Sequence, residues 1–135
     1  MKNELTRDLL RNILDAAGIA TRIDKEGDLY TVLGADEDFP HDVYVYYLIR
    51  DGWLGTQAFA KGMKLDMDEA QMFQLANQIN SSTKLPKASI RQKVLYFEHW
   101  IVIESNFSKE FIKKSLENLT SYTWHAFCNL HQSLK

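Results

Sequence analysis

Apolar residues recur at Leu5, Leu9, Ile13, Leu14 and Ala17, with Arg7, Asp8, Arg11 and Asn12 between them. That spacing predicts an amphipathic helix over residues 4–17, and Gly18 supplies its stop. From residue 19 the period shortens to two. The run "IATRID", a turn at "KEG" and "DLYTVLG" predict a hairpin. The acidic stretch "GADEDFPHD" follows as a loop, with Pro40 barring a central strand. Next, "VYVYYLIR" and "WLGTQAFA" flank Asp51-Gly52, a pair that favours a two-residue type I′ turn. Residues 68–83 return to helical spacing through Met72, Phe73, Leu75, Ala76 and Ile79. "ASIRQKVLYF" and "WIVIES" predict a further strand pair about a turn at Glu98-His99. Ser108, with Glu110 behind it, opens a last helix that runs to about residue 132. The expected fold is α+β in the order α-β-β-β-β-α-β-β-α, a mostly antiparallel sheet with three helices packed on it.

A two-residue loop at Asp51-Gly52 sets the register outward, pairing Arg50 with Trp53, Ile49 with Leu54, Leu48 with Gly55, Tyr46 with Gln57 and Tyr44 with Phe59. One face then carries Val43, Val45, Tyr47, Ile49, Leu54, Thr56, Ala58 and Ala60, small enough for helix packing. The other carries Tyr44, Tyr46, Leu48, Arg50, Trp53, Gln57 and Phe59, an aromatic surface with polar tips of the kind found at interfaces. The turn at Glu98-His99 would pair Phe97 with Trp100, Leu95 with Val102 and Lys93 with Glu104. Two arrangements follow. Either the aromatic face stays partly open, or the last helix covers it and the aromatics are core.

In the last helix, Ile112, Leu116, Leu119, Tyr122, Ala126 and Leu130 form the expected apolar stripe, while Trp124 stands off it and suggests a contact beyond the core. The second helix raises a different question. At about 100° per residue, Asn80 falls inside its apolar arc and Asn77 at the edge. A buried amide needs its donors and acceptors satisfied, so Asn80 is expected to bond backbone groups near "LPKASI", with Asn77 assisting.

At 135 residues the chain is expected to be one domain, residues 1–135, large enough for a core without staples. A net charge of −2, with no basic block, argues against a duplex-binding stripe. The single Cys128 excludes an internal disulfide framework and suits a reducing compartment. The charged start "MKNELTRDLLRN" lacks a secretory h-region, and no apolar run is long enough to span a bilayer, so the expected location is cytoplasmic.

Motifs of catalysis are missing from the sequence. It holds no G-x-S-x-G, no Walker loop and no G-x-G-x-x-G. His125, Cys128 and His131 are metal-capable, but steps of three on one helix leave the outer two about 120° apart. Asp36, Glu37, Asp38 and Asp42 lack the glycine and alternation of a calcium loop. No catalytic residue, cofactor or metal is expected.

The helix ending "LANQIN", with its N-x-x-N pair Asn77 and Asn80, followed by "ASIRQKVLYFEHWIVIES" and a long final helix, resembles the YbjN family. So do "LLRNILDAAGI" and "DGWLGTQA". That family carries the description "putative bacterial sensory transduction regulator", and its fold is similar to that of type III secretion chaperones. The resemblance implies an α+β domain with a regulatory or chaperone-like role. "FEHW" departs from the glycine or aspartate turn common in the family at that place.

Three functions are in competition. The first is a non-enzymatic regulator acting through protein–protein contact, with Tyr44, Tyr46, Arg50, Trp53, Phe59 and Trp124 as the candidate surface. It is expected to be a homodimer that contacts neither nucleic acid nor membrane. The second is a secretion chaperone-like binder of an extended partner segment, for which a charge of −2 is mild. The third is a small-molecule sensor in which Arg50 grips a carboxylate or phosphate.

Overall fold

The computed structural model describes residues 4–135; residues 1–3, which the one-domain expectation includes, lie outside it. Thr6 caps α1 (Arg7–Ala16) by accepting from the Leu9 amide at 3.2 Å. The helix ends in a left-handed turn at Gly18, φ +78°. There the Ile19 amide reaches back to the Leu14 carbonyl and the Gly18 amide to that of Asp15. The elements that follow are β1 (Arg22–Ile23), β2 (Leu29–Leu33), β3 (Val43–Arg50), β4 (Trp53–Ala60), α2 (Glu69–Ser82), β5 (Lys87–Arg91), β6 (Val94–Val102) and α3 (Lys109–Ser133). Their order is the one the periodicity predicts.

All six strands form one antiparallel sheet in the order β1-β2-β3-β4-β6-β5. Asp51 and Gly52, at φ 50° and 82°, make the β3–β4 turn, and every expected pair from Arg50–Trp53 to Tyr44–Phe59 forms. The last hairpin is different. Its turn is Gln92-Lys93, both at positive φ (51° and 65°), and Glu98 and His99 lie inside β6 opposite Gln57 and Thr56. The pairs Phe97–Trp100, Leu95–Val102 and Lys93–Glu104 therefore do not exist; Ile90 faces Leu95 and Ala88 faces Phe97. As one continuous strand, β6 turns Leu95, Phe97, His99 and Ile101 to one side and Tyr96, Glu98, Trp100 and Val102 to the other.

The first of these sides is the helix-covered one. Val43, Val45, Tyr47, Leu54, Ala58, Leu95 and Phe97 join Leu10, Ile13 and Leu14 of α1 and Ile112, Leu116, Phe127 and Leu130 of α3 in a single core. The α3 stripe is corrected in one respect: Tyr122 is exposed and Ala126 half-buried, and Phe127 fills the core edge-on to Phe97 at 4.8 Å. Phe73 of α2 likewise points outward. Because α3 lies on this side, the aromatic side is left without a helix.

Under α3 the Tyr47 hydroxyl meets Thr120 Oγ1 at 2.7 Å. Thr120 has one proton and gives it to the Leu116 carbonyl, also at 2.7 Å, so Tyr47 is the donor. Burial pushes the Tyr47 phenol up to about 12. The unfolded phenol ionises near its ordinary value of 10, so the folded state keeps a proton that the unfolded state loses. This stability is fully present below pH 10 and is lost as pH rises through about 12. The expected loss is ~2–3 kcal/mol. Urea titrations at pH 9 to 12 should show it for the wild type, and Tyr47→Phe should remove about one proton from the slope.

At the far edge of the sheet, α2 packs along β5. A capping box between Asp68 and Gln71 opens α2. Near its other end the Asn80 side chain accepts from the Ala88 amide at 2.7 Å and donates to the Ala88 carbonyl at 2.8 Å. One amide thus bonds an edge residue as a neighbouring strand would. Asn77 is exposed and takes no share of this; it contributes its backbone carbonyl, to the Ser81 hydroxyl at 2.8 Å.

Candidate functional site

The uncovered face is a field of aromatic rings. Tyr30 of β2 stacks on Tyr44 (5.9 Å) and Tyr46 (5.2 Å) of β3, both of these stack on Phe59 of β4, and Phe59 meets the edge of Tyr96 on β6 at 5.9 Å. These contacts arise because alternate residues of four neighbouring strands fall on one side and come into register. Cations border the field. Lys61 lies 5.7 Å over Tyr44, and the Arg91 guanidinium lies 4.3 Å over Tyr96 while also holding Glu98 at 3.1 Å. Gln57 donates to the same Glu98 oxygen, so the centre of the face carries a bonded polar group.

Above this belt lies an apolar corner. Trp100 faces Gly55 across the β4–β6 pair, and its indole covers the space where a Cβ would project. Beside it Trp53 pairs with Val102, and these two are 43% and 60% exposed, high values for residues of their size. A concavity of about 480 Å³ runs from Asp24 and Arg50 past Tyr46 and Gln57 to Phe59 and Tyr96.

Five of the six expected surface residues meet here: Tyr44, Tyr46, Arg50, Trp53 and Phe59. Trp124 is elsewhere, half-buried on α3 and edge-on to Phe39 at 5.8 Å. Arg50 places one guanidinium nitrogen 3.2 Å from both oxygens of Asp28 and another on the Ile49 carbonyl, so its charge is already paired. Tyr30, Tyr96 and Trp100 belong to the face and were not foreseen. Tyr30 was legible from the alternation of "DLYTVLG". The other two depend on the β4–β6 pairing, which spans α2 and β5 and leaves no local signal.

Burial, then the Asp24 carboxylate, Tyr30, Tyr44 and Asp28, push the Tyr46 phenol upward, so at neutral pH it is a hydroxyl that can donate. Among the described residues one group brings three metal-capable side chains close: Asp24, Glu26 and Asp28, with ligand atoms within 4.8 Å of one another. Asp24 Oδ1 accepts from the Glu26 and Asp28 amides at 2.9 Å, and Asp28 holds Arg50, so turn geometry and ion pairing account for the cluster. His131 sits edge-on to Phe39 at 5.8 Å. Among the described residues no helix is long and apolar enough to cross a membrane.

A six-stranded antiparallel sheet with helices on one side and an aromatic surface on the other defines an α+β protein with one sheet face uncovered. The chain belongs to the YbjN family, whose model matches residues 6–123 under the description "Putative bacterial sensory transduction regulator". The crystal structure of YbjN from E. coli, called there "a putative transcription regulator", is similar with a TM-score of 0.68 over 98% of this chain and 97% of that one. Identity with it is 16%, so this likeness is one of fold. No curated protein matches the chain.

Proposed function

We propose that the chain is a non-enzymatic regulator that acts through protein–protein contact, with the open sheet face as its contact surface and a second copy of itself as the occupant. The observation that carries this reading is the corner of exposed Trp53 and Val102 beside half-buried Trp100, continuous with the Tyr30–Tyr44–Tyr46–Phe59–Tyr96 belt. Tryptophan and tyrosine are the residues that anchor interfaces. The rim supports self-pairing: Asp24 and Glu26 stand on the β1–β2 side and Lys87 and Arg91 on the β5 side, so a copy turned about a two-fold axis parallel to the strands sets the two edges opposite each other, with Arg91 also holding Glu98 and Lys87 also holding the end of α2. The family description supports the regulatory role. The lone cysteine suits a reducing, cytoplasmic setting.

Light scattering coupled to gel filtration, run on wild type and on Tyr46→Ala/Trp53→Ala at about 100 μM, tests the proposal. Wild type is expected at twice the chain mass and the double variant at the chain mass, with unchanged far-UV circular dichroism. A monomeric wild type would overturn the self-pairing. Equal dimer masses for both proteins would move the interface off this face.

A further inference from the structure

A second recess lies in the helix layer, between the end of α1, the end of β2 and the middle of α3. Its volume is about 530 Å³, and its walls include Ile19, Leu33, Asp36, Glu117, Ser121 and Trp124. That size is within the ordinary range for small-ligand sites. Two carboxylates face it and no lysine or arginine lines it. Among the described residues neither Asp36 nor Glu117 forms an ion pair. Asp36 is nonetheless held in place, because its Oδ1 accepts from the Asp38 amide at 2.8 Å and the Phe39 amide at 3.1 Å, leaving Oδ2 free. Trp124 is fixed by Phe39, which stands perpendicular to it at 5.8 Å. The same negative field reaches Cys128, one turn further along α3, whose thiol is pushed up by burial and then by Asp38 and Asp36.

We propose that this recess binds a small organic cation, an alkylammonium or guanidinium compound. Its head lies between Asp36 and Glu117, and its apolar body lies against Trp124, Leu33 and Ile19. Each part of the wall has a matching part in such a ligand. Unpaired carboxylates attract the charge, the indole favours a weakly hydrated cation, and the aliphatic floor takes the hydrocarbon. An anion meets only repulsion there. A hard divalent ion would want six or more oxygens and would gain nothing from tryptophan. The recess shares no residue with the concavity beside Tyr46 and Phe59, and Val32, opposite Tyr44, is the one residue of the open face that lines it, so this inference stands independently of the proposed interface.

The test is a titration of the full chain with n-hexylammonium, n-hexanol and hexanoate, followed by calorimetry and by the Trp124 indole NMR signal. Saturable binding of hexylammonium, about tenfold or more tighter than hexanol, with hexanoate weakest, is the expected order. Glu117→Gln and Asp36→Asn should each weaken hexylammonium by about three- to tenfold and leave hexanol unchanged. Both replacements preserve the fold, since Glu117 is only half-buried and asparagine retains the oxygen that the loop amides need. Equal affinity for hexanol would reduce the site to an apolar dent. Absence of saturation, insensitivity to both variants, or shifts confined to the Asp24–Asp28 turn would overturn the proposal.

Discussion

Asn80→Ala should lower stability by ~2–4 kcal/mol, although alanine is the better helix former. The two effects have opposite signs, which makes the measurement decisive. Helix propensity alone predicts a gain of roughly 0.5 kcal/mol. Against it stand the Ala88 amide and carbonyl, which now bond the Asn80 side chain at 2.7 and 2.8 Å. Ala88 is buried, and removal of Asn80 leaves two backbone groups without partners where water enters poorly. Asn77→Ala on the same helix is the control: its side chain is exposed, so that change should be neutral or slightly stabilising. Urea denaturation of the three proteins at matched slopes gives the answer. Equal stabilities for Asn80→Ala and Asn77→Ala would remove the edge-capping role.

Asn80→Asp separates the two bonds. The introduced carboxylate can accept from the Ala88 amide but is set against the Ala88 carbonyl, and only its protonated form can donate there. Its pKa in the folded protein therefore lies above the unfolded value, so the variant gains stability as pH falls toward the carboxylate range and loses it as pH rises. Two further bonds reinforce this corner, for Lys87 donates to the Asn80 and Thr83 carbonyls at 3.2 and 2.9 Å, where the helix end carries partial negative charge.

The same corner shows what could be read from the chain and what could not. An asparagine inside an apolar arc announces a buried hydrogen bond, and the chain segment it bonds was within reach of sequence reasoning because β5 follows within eight residues. The β3–β4 register was legible for a related reason, since Asp51-Gly52 is a turn that few sequences permit to be anything else. The final hairpin hid its turn. Gln92 and Lys93 both take positive φ without a glycine, an uncommon conformation for side chains of that size, so propensity points elsewhere. The alternation of Ala88 and Ile90 with Lys87, Ser89 and Arg91 was the available clue, because only a loop at residues 92–93 puts Ile90 opposite Leu95 and Ala88 opposite Phe97. A turn at Glu98-His99, six residues late, pairs Trp100 with Phe97, which lies on the covered side of the sheet. Phe127 was missed because Tyr122 and Ala126 offered an equally regular stripe one position round the helix, and only Phe39 and Phe97 decide between them.

Gly55 is the residue on which the open face turns, and Gly55→Ala should show it by a reversal of sign. In the wild type the change is expected to cost ~1–3 kcal/mol, since the new methyl would occupy the place of the Trp100 ring, which must tilt away from β4. In a Trp100→Ala background the ring atoms nearest to that methyl are gone. Gly55 is buried in a strand and does not need positive φ, so there the alanine should stabilise by roughly 0.5 kcal/mol through reduced backbone freedom. The coupling between the two positions is thus ~1.5–3.5 kcal/mol, well above the error of a double-mutant cycle. A purely local backbone effect at Gly55 would give the same sign in both backgrounds. If the reversal is observed, the indole over Gly55 is a packed structural contact, and the rigidity it lends to Trp53 and Val102 becomes measurable in turn. Gly55→Ala alone should then weaken the proposed self-pairing in light scattering with Trp53, Trp100 and Val102 all unsubstituted, because the displaced indole no longer supports the corner.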